Sequence, residues 1–204
     1  MCLPQNHREA FFSESPKNSP FSQALDHMLD ELGGVVSNLT PEMAETLIKE
    51  LEAAPRIFGY GAGRSGYILR GFCMRLMHLG FDVFFVGETI TPRIRPRDLL
   101  LVMSGSGETA HTADMVRRAN GAGARTLVLT AQADSIIGRE AQVVLTIPGT
   151  TKLTLEKEPD SIQCPGSLFE QAAFLFLETV VLMLFKRRLG HDHEKMLSRH
   201  TDLE

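Results

Sequence analysis

Apolar residues recur at helical spacing from Phe21 onward, at Ala24, Leu25, Met28, Leu29, Leu32 and Val36, and predict a helix with one apolar face. Asn38 and Thr40 precede Pro41, so a second helix is expected with Thr40 as N-cap and Pro41 at its first position. It runs to about Ala53 and is stopped by Pro55. The rhythm then changes. Residues 56–60 form a short apolar run, residues 61–66 a glycine turn, and residues 67–79 a helical pattern closed by Gly80. Further apolar runs follow at residues 81–86, 99–103, 126–130 and 143–147, with helical patterns at about 108–120 and 134–140. The runs do not alternate with polar residues, as expected of strands covered on both faces. The predicted fold is α/β: a doubly wound, three-layer α/β/α sandwich around a mostly parallel five-stranded sheet, Rossmann-like, with ligands beyond the carboxyl ends of the strands.

Residues 148–166 show no periodicity, and a stretch of that length in a compact domain usually covers a site or an interface. A long apolar helix is predicted from Ser167 to about Leu189, then a polar tail. This divides the chain into a poorly ordered lead-in over residues 1–20, one domain over 21–190, and a tail over 191–204 that contributes to a site or an interface. The apolar helix is the one candidate for a membrane span. It contains Glu170, Gln171 and Glu178, which are costly in lipid, so it is expected inside the protein or between subunits.

Composition narrows the classes. The 204 residues are 43% hydrophobic and 23% charged, ordinary values for one globular domain. A net charge of −4 and a pI near 6.0 leave no footprint for nucleic acid or an anionic membrane. Cys2, Cys73 and Cys164 are few and widely spaced, and read as reduced thiols. With no secretory signal in the first twenty residues, a cytoplasmic protein is expected.

Two glycine turns carry the candidate chemistry. Ser104-Gly105-Ser106-Gly107-Glu108-Thr109 follows an apolar strand and opens a helix. Glycine lets backbone approach a ligand, helix-start N–H groups converge on one point, and Ser104, Ser106 and Thr109 add hydroxyl donors. The turn suits a phosphate monoester; a tight structural turn with a serine N-cap would use the same residues. Gly61-Ala62-Gly63-Arg64-Ser65-Gly66 fits the dinucleotide fingerprint, and Glu88 lies where a ribose-binding carboxylate would be sought. Against that, Arg64 sits inside the turn and can pair with a phosphate, and the second turn supplies donors that a dinucleotide site does not need. Two such turns on neighbouring strands point to one small phosphorylated ligand between them.

The second turn resembles the phosphate loop of the SIS (sugar isomerase) domain family. Gly61–Gly66, Met74-Arg75-Leu76-Met77-His78-Leu79-Gly80-Phe81, Val86-Gly87-Glu88-Thr89-Ile90-Thr91-Pro92 and the ending Arg199-His200-Thr201-Asp202-Leu203-Glu204 extend the likeness to its hexulose-phosphate isomerase branch, over residues 22–204. The resemblance implies interconversion of D-arabino-hex-3-ulose 6-phosphate and fructose 6-phosphate, a step of formaldehyde fixation in the ribulose monophosphate pathway or of its reverse. It also implies a dimer or tetramer. Such a reaction needs a base at carbon 2, a proton relay between two oxygens and stabilisation of an enediolate, and requires no metal or redox cofactor.

The expected phosphate and substrate ligands are Ser104, Gly105, Ser106 and Thr109, with Gly61, Gly63, Arg64 and Ser65 on the other side. Glu170 is the expected base. It stands in the first turn of the apolar helix, where the helix dipole alone also favours a carboxylate, and its apolar neighbours Leu168, Phe169 and Phe174 would strengthen it as a base. In SIS isomerases a glutamate at the matching place is the proposed base. The likeness of the tail makes His200 a second candidate, as proton shuttle or partner of the base, reaching a neighbouring subunit's site. Glu108 is left out of phosphate binding, since a carboxylate would repel it. His191 and His193 resemble a metal pair, as phosphoheptose isomerases of this fold class can use zinc, but two histidines in a charged tail are more often solvated and no metal is expected. His78 and His111 are expected in packing or surface roles. A non-catalytic sugar-phosphate sensor ranks lower, because no helix-turn-helix or basic patch is seen ahead of the domain.

Overall fold

The computed structural model describes residues 19–149 and 161–201. Most of the predicted lead-in, and residues 150–160 of the aperiodic stretch, lie outside them. The described residues form a five-stranded, wholly parallel sheet in the order β2-β1-β3-β4-β5, with β1 Ile57–Gly61, β2 Val83–Phe85, β3 Leu99–Met103, β4 Arg125–Thr130 and β5 Val143–Thr146. Seven helices accompany it: α1 Pro20–Val36, α2 Pro41–Ala53, α3 Gly63–His78, α4 Ala110–Gly121, α5 Ile136–Glu140, α6 Ser167–Leu189 and α7 His193–Leu197.

Alternation along each strand sorts the layers. Leu99, Leu101 and Met103 face a core built with Leu47 and Leu51 of α2, Leu69 and Phe72 of α3, and Phe176 and Val180 of α6. Leu100 and Val102 face the other side, against Ala113 and Val116 of α4 and Ile137 of α5. β3 is buried at every position, which is why its sequence is apolar without alternation. The long apolar helix is internal along one face: Phe169, Ala172, Ala173, Phe176, Leu177, Val180 and Leu184 are buried at helical spacing. It is long and apolar enough to cross a membrane, but most of it lies inside the protein. α1 has no fully buried residue and packs mainly on α6.

Beyond shifts of one or two residues at element ends, two features differ from the prediction. α3 begins at Gly63, so Arg64, Ser65 and Gly66 belong to its first turn, and only Ala62 separates it from β1. The reason is the contact between Gly61 and Gly66. A Cβ on Gly66 would lie 2.2 Å from the Gly61 carbonyl oxygen, and one on Gly61 would lie 2.9 Å from the Gly66 Cα. Only with glycine at both positions can the helix start against the strand end. The polar tail also holds order of its own, the short helix α7, capped by the Asp192 carboxylate on Lys195 N–H at 3.1 Å.

Candidate active site

In this strand order the chain leaves β1 and β3 towards opposite faces, through α3 on one side and α4 on the other. A crevice opens at such a switch point. It holds a cavity of about 670 Å³ with three walls. The first is Ala62 to Ser65 at the start of α3. The second runs from Met103 through Ser104, Gly105, Ser106, Glu108 and Thr109 into α4. Pro165, Gly166, Phe169 and Glu170, where α6 begins, form the third.

The second wall is shaped from behind. The Gly105 carbonyl accepts from Ala131 N–H at 3.0 Å and from the Thr130 hydroxyl at 3.2 Å, and the Gly107 carbonyl accepts from Ile137 N–H at 3.0 Å. Gly107 has φ +64°, and a Cβ there would lie 1.9 Å from the Ser135 hydroxyl oxygen, so no other residue fits. With the carbonyls committed to β4 and α5, the N–H groups of Gly105, Ser106, Gly107 and Thr109 have no acceptor among the described residues. The hydroxyls of Ser65, Ser104 and Thr109 likewise make no hydrogen bond there, and Ser106 Oγ accepts only a long one, 3.4 Å, from Glu108 N–H. The first-turn N–H groups of Gly63, Arg64 and Ser65 are also without acceptors among the described residues. None of the three helices that start on this cavity has a side-chain N-cap bond. The result is an array of donors around one concavity, the setting for a phosphate.

α6 is fitted to this wall by Phe169. Its ring lies where a Cβ on Gly105 would come within 3.0 Å, and its backbone lies 2.7 Å from where a Cβ on Gly149 would be. That seating carries the next residue, Glu170, into the cavity. Glu170 Oε2 accepts from Arg64 Nε at 2.5 Å. The dipole of α6 favours a first-turn acid by about 0.3–1 kcal/mol, less than the several kcal/mol that burying a carboxylate costs. The dipole therefore does not account for a side chain only 12% exposed; Arg64 does, as counter-charge. The same bond raises the Arg64 guanidinium further above its already high range. Arg64 itself is 71% exposed, and with Nε on Glu170 its other N–H groups remain for a ligand.

The candidates fall into three groups. Gly63, Arg64, Ser65, Ser104, Gly105, Ser106, Thr109 and Glu170 all line the cavity. Gly61 does not; its place is the packing of α3 on β1. His200 is not brought there by its own chain. Its ring stacks on His78 at 5.0 Å, at the far end of α3, about 22 Å from Gly63 by helix rise. Arg199 beside it donates to the His78 carbonyl at 3.3 Å. Burial, with His200 and Arg75 nearby, holds the buried His78 imidazole below its ordinary range.

The remaining predictions resolve locally. Glu108 lines the cavity, but its carboxylate accepts from Ile136 N–H at 3.1 Å and so serves the start of α5. Glu88 pairs with Arg70 and does not line the cavity, which removes the carboxylate that a dinucleotide site would use. His191 and His193 pack on the Phe185 ring at 5.3 and 5.1 Å. The sequence reading missed the Arg64–Glu170 pair: it placed Arg64 on the phosphate and Glu170 among apolar side chains.

Comparison with known proteins agrees with the fold. Residues 50–173 match the SIS domain family. A 3-hexulose-6-phosphate isomerase from Bacillus subtilis is 38% identical over 186 residues, covering 90% of this chain and 98% of the relative. Another, from Mycobacterium gastri, is 39% identical over 180 residues, 88% of this chain and 89% of the relative. A crystal structure from Methanococcus jannaschii, from which a function as 3-hexulose-6-phosphate isomerase was inferred, has a TM-score of 0.75 at 30% identity, covering 89% of this chain and 99% of that one.

Proposed function

The chain belongs to the SIS domain family, and from that premise we propose that it is a ketol isomerase interconverting D-arabino-hex-3-ulose 6-phosphate and fructose 6-phosphate, a reading supported by relatives named 3-hexulose-6-phosphate isomerase. One observation carries this reading: a carboxylate and a guanidinium, paired at 2.5 Å, share a cavity with three uncapped helix starts. A phosphate held at one end and a base at the other is what proton transfer on a phosphosugar requires.

The phosphate sits against Ser104, Gly105, Ser106 and Thr109, with Gly63 and Ser65 on the facing wall. Glu170 takes the proton from carbon 2 of the 3-keto sugar. An ion pair presents that carboxylate ionised, the form in which a base must start. The electrons of the broken C–H bond form a double bond between carbons 2 and 3, and the carbonyl oxygen on carbon 3 becomes the enediolate oxygen. Arg64, beside the base, offers N–H groups to that charge. The hydroxyl proton on oxygen 2 passes to oxygen 3, and the protonated Glu170 returns a proton to carbon 3, leaving the carbonyl at carbon 2 and the carboxylate ionised again. The reaction moves protons and one carbonyl, with no net oxidation.

The active form in this proposal is a cytoplasmic homo-oligomer, dimer or tetramer. Phe21, Leu25 and Leu29 on α1 and Phe174, Leu175 and Leu182 on α6 expose large apolar side chains, as an interface between copies would. A role for His200 then belongs to a neighbouring subunit's cavity. The pathway assigned is the ribulose monophosphate route, in either direction.

The test is an assay that generates hexulose 6-phosphate in place and couples product to fructose 6-phosphate detection. Wild-type protein should turn it over, and Glu170→Gln should lower kcat by about 10²- to 10⁴-fold. Near-wild-type turnover by that variant would overturn the base assignment. A wild-type protein inert on this sugar would overturn the substrate.

A further inference from the structure

The third wall of the cavity is held in place from outside the matched residues 50–173. Pro165 and Gly166 line the cavity, and Gly166, at φ +87°, is the N-cap from which α6 carries Glu170 inward. The residues just before them are tied to a single side chain on α1. Glu31 Oε2 accepts from the Ser161 hydroxyl at 2.8 Å and from the Gln163 carboxamide at 2.9 Å, while Oε1 accepts from Ile162 N–H at 2.8 Å. Three donors from three consecutive residues converge on one carboxylate. Leu32, next on α1, borders a groove shared with Arg64 and Glu170, so this part of the helix lies beside the ion pair.

The arrangement is directed by Glu31. An ionised carboxylate only accepts hydrogen bonds, so Gln163 must turn its NH₂ towards it, and the buried Gln163 carboxamide oxygen has no partner among the described residues. An unpaired buried oxygen is unfavourable, so the local surroundings of Gln163 do not by themselves choose this orientation. Burial works to raise the Glu31 carboxyl, yet the three donors, with His27 nearby, hold it below its ordinary range.

We propose that Glu31 is a positioning residue for this active site: by gripping residues 161–163 it fixes Pro165 and Gly166, and through them the place of the Glu170 carboxylate against Arg64. The inference rests on the reading of Glu170 as the base in this cavity. Glu31 does not touch the substrate; it acts through the segment that carries Glu170.

The experiment uses full-length Glu31→Ala and Glu31→Asp, with amide hydrogen exchange over residues 161–166 beside kcat and KM. Glu31→Ala should speed exchange in that segment and lower kcat per folded molecule about tenfold, while KM stays within about threefold, because the phosphate is held by the other two walls. Glu31→Asp, which keeps a carboxylate, should recover part of the loss. A purely structural tie would lower the melting temperature and leave kcat per folded molecule within about twofold of wild type, and that result overturns the proposal. So does unchanged exchange at residues 161–166. Should Glu31→Ala not fold, the double variant Ser161→Ala, Gln163→Ala removes two of the three bonds without touching α1 and must show the same fall in kcat. If wild-type protein proves inert on the hexulose phosphate, the reading of the reaction fails separately, and exchange in the segment alone decides whether Glu31 holds it.

Discussion

Seven helices begin within the described residues, and their first turns divide by location. α1, α2, α5 and α7 each start with a side chain folded back on their own amide: Ser19 on Ser22, Thr40 on Met43, Ser135 on Gly138 and Asp192 on Lys195. α3, α4 and α6, which border the cavity, start with none. Residue type accounts for α3 and α6, whose N-caps Ala62 and Gly166 carry no side-chain acceptor, but not for α4. Thr40 and Thr109 are both threonine N-caps with extended backbone, and only Thr40 caps. What differs is what lies in front of the helix. A side-chain cap satisfies a helix start at once, whereas an open start holds its donors for something else. At the cavity, three open starts meet at one point.

The sharpest way to break this comparison is to give a cavity helix the cap it lacks. Thr109→Asp places a carboxylate at the N-cap of α4, where it satisfies first-turn N–H groups and complements the dipole. It also sets a fixed negative charge where the phosphate belongs, and like charges brought together cost several kcal/mol. KM for the sugar phosphate is expected to rise about a hundredfold or more while the melting temperature holds or increases. Stability and activity moving in opposite directions from one substitution would identify the open start as a binding device. A variant that binds its substrate normally would show that the open start is incidental.

A smaller effect is expected from removing one donor and adding no charge. Ser106 lines the cavity and its hydroxyl makes only the long contact with Glu108 N–H. A hydrogen bond to a charged group is worth about 1.5–3 kcal/mol, so Ser106→Ala should raise KM about tenfold or somewhat more. kcat should stay near wild type, because the phosphate lies away from the reacting carbons. A variant with unchanged KM would remove Ser106 from the phosphate site.

How far this was legible in sequence follows from which forces are local. The glycine turns, Thr40-Pro41 and the apolar strands report near-neighbour chemistry, and they indicated the layers, the parallel sheet and two walls of the cavity. The start of α3 was misjudged because the mutual approach of Gly61 and Gly66 is a packing event between two elements, not a propensity. The Arg64–Glu170 pair joins residues 106 apart, brought together by Phe169 seating on Gly105 and Gly149. No periodicity encodes that. The grip of Glu31 on residues 161–163 escaped for the same reason: an acid in a charged helix reads as a solvated face until the segment it holds is placed against it. The tail was read as carrying His200 towards a site, and in its own chain it lies on His78 instead.

The smallest effect belongs to the capped helices and completes the contrast. Thr40 accepts from Met43 N–H at 3.4 Å at the start of α2, a helix that lines no part of the cavity. Removing an N-cap hydroxyl costs about 0.5–2 kcal/mol, and a long bond at an exposed helix end places this one at the low end. Thr40→Ala should therefore lower the melting temperature by about 2–4 °C for each kcal/mol lost in a chain of this size. KM and kcat should not move, since nothing at the phosphate site depends on that hydroxyl. The two threonines then give opposite results: at Thr40 a cap is lost, with a cost in stability alone, and at Thr109 a cap is gained, with a cost in binding alone. Were Thr40→Ala to change KM, helix starts remote from the cavity would be coupled to it, and the division between the two sets of helices would no longer explain where the phosphate goes.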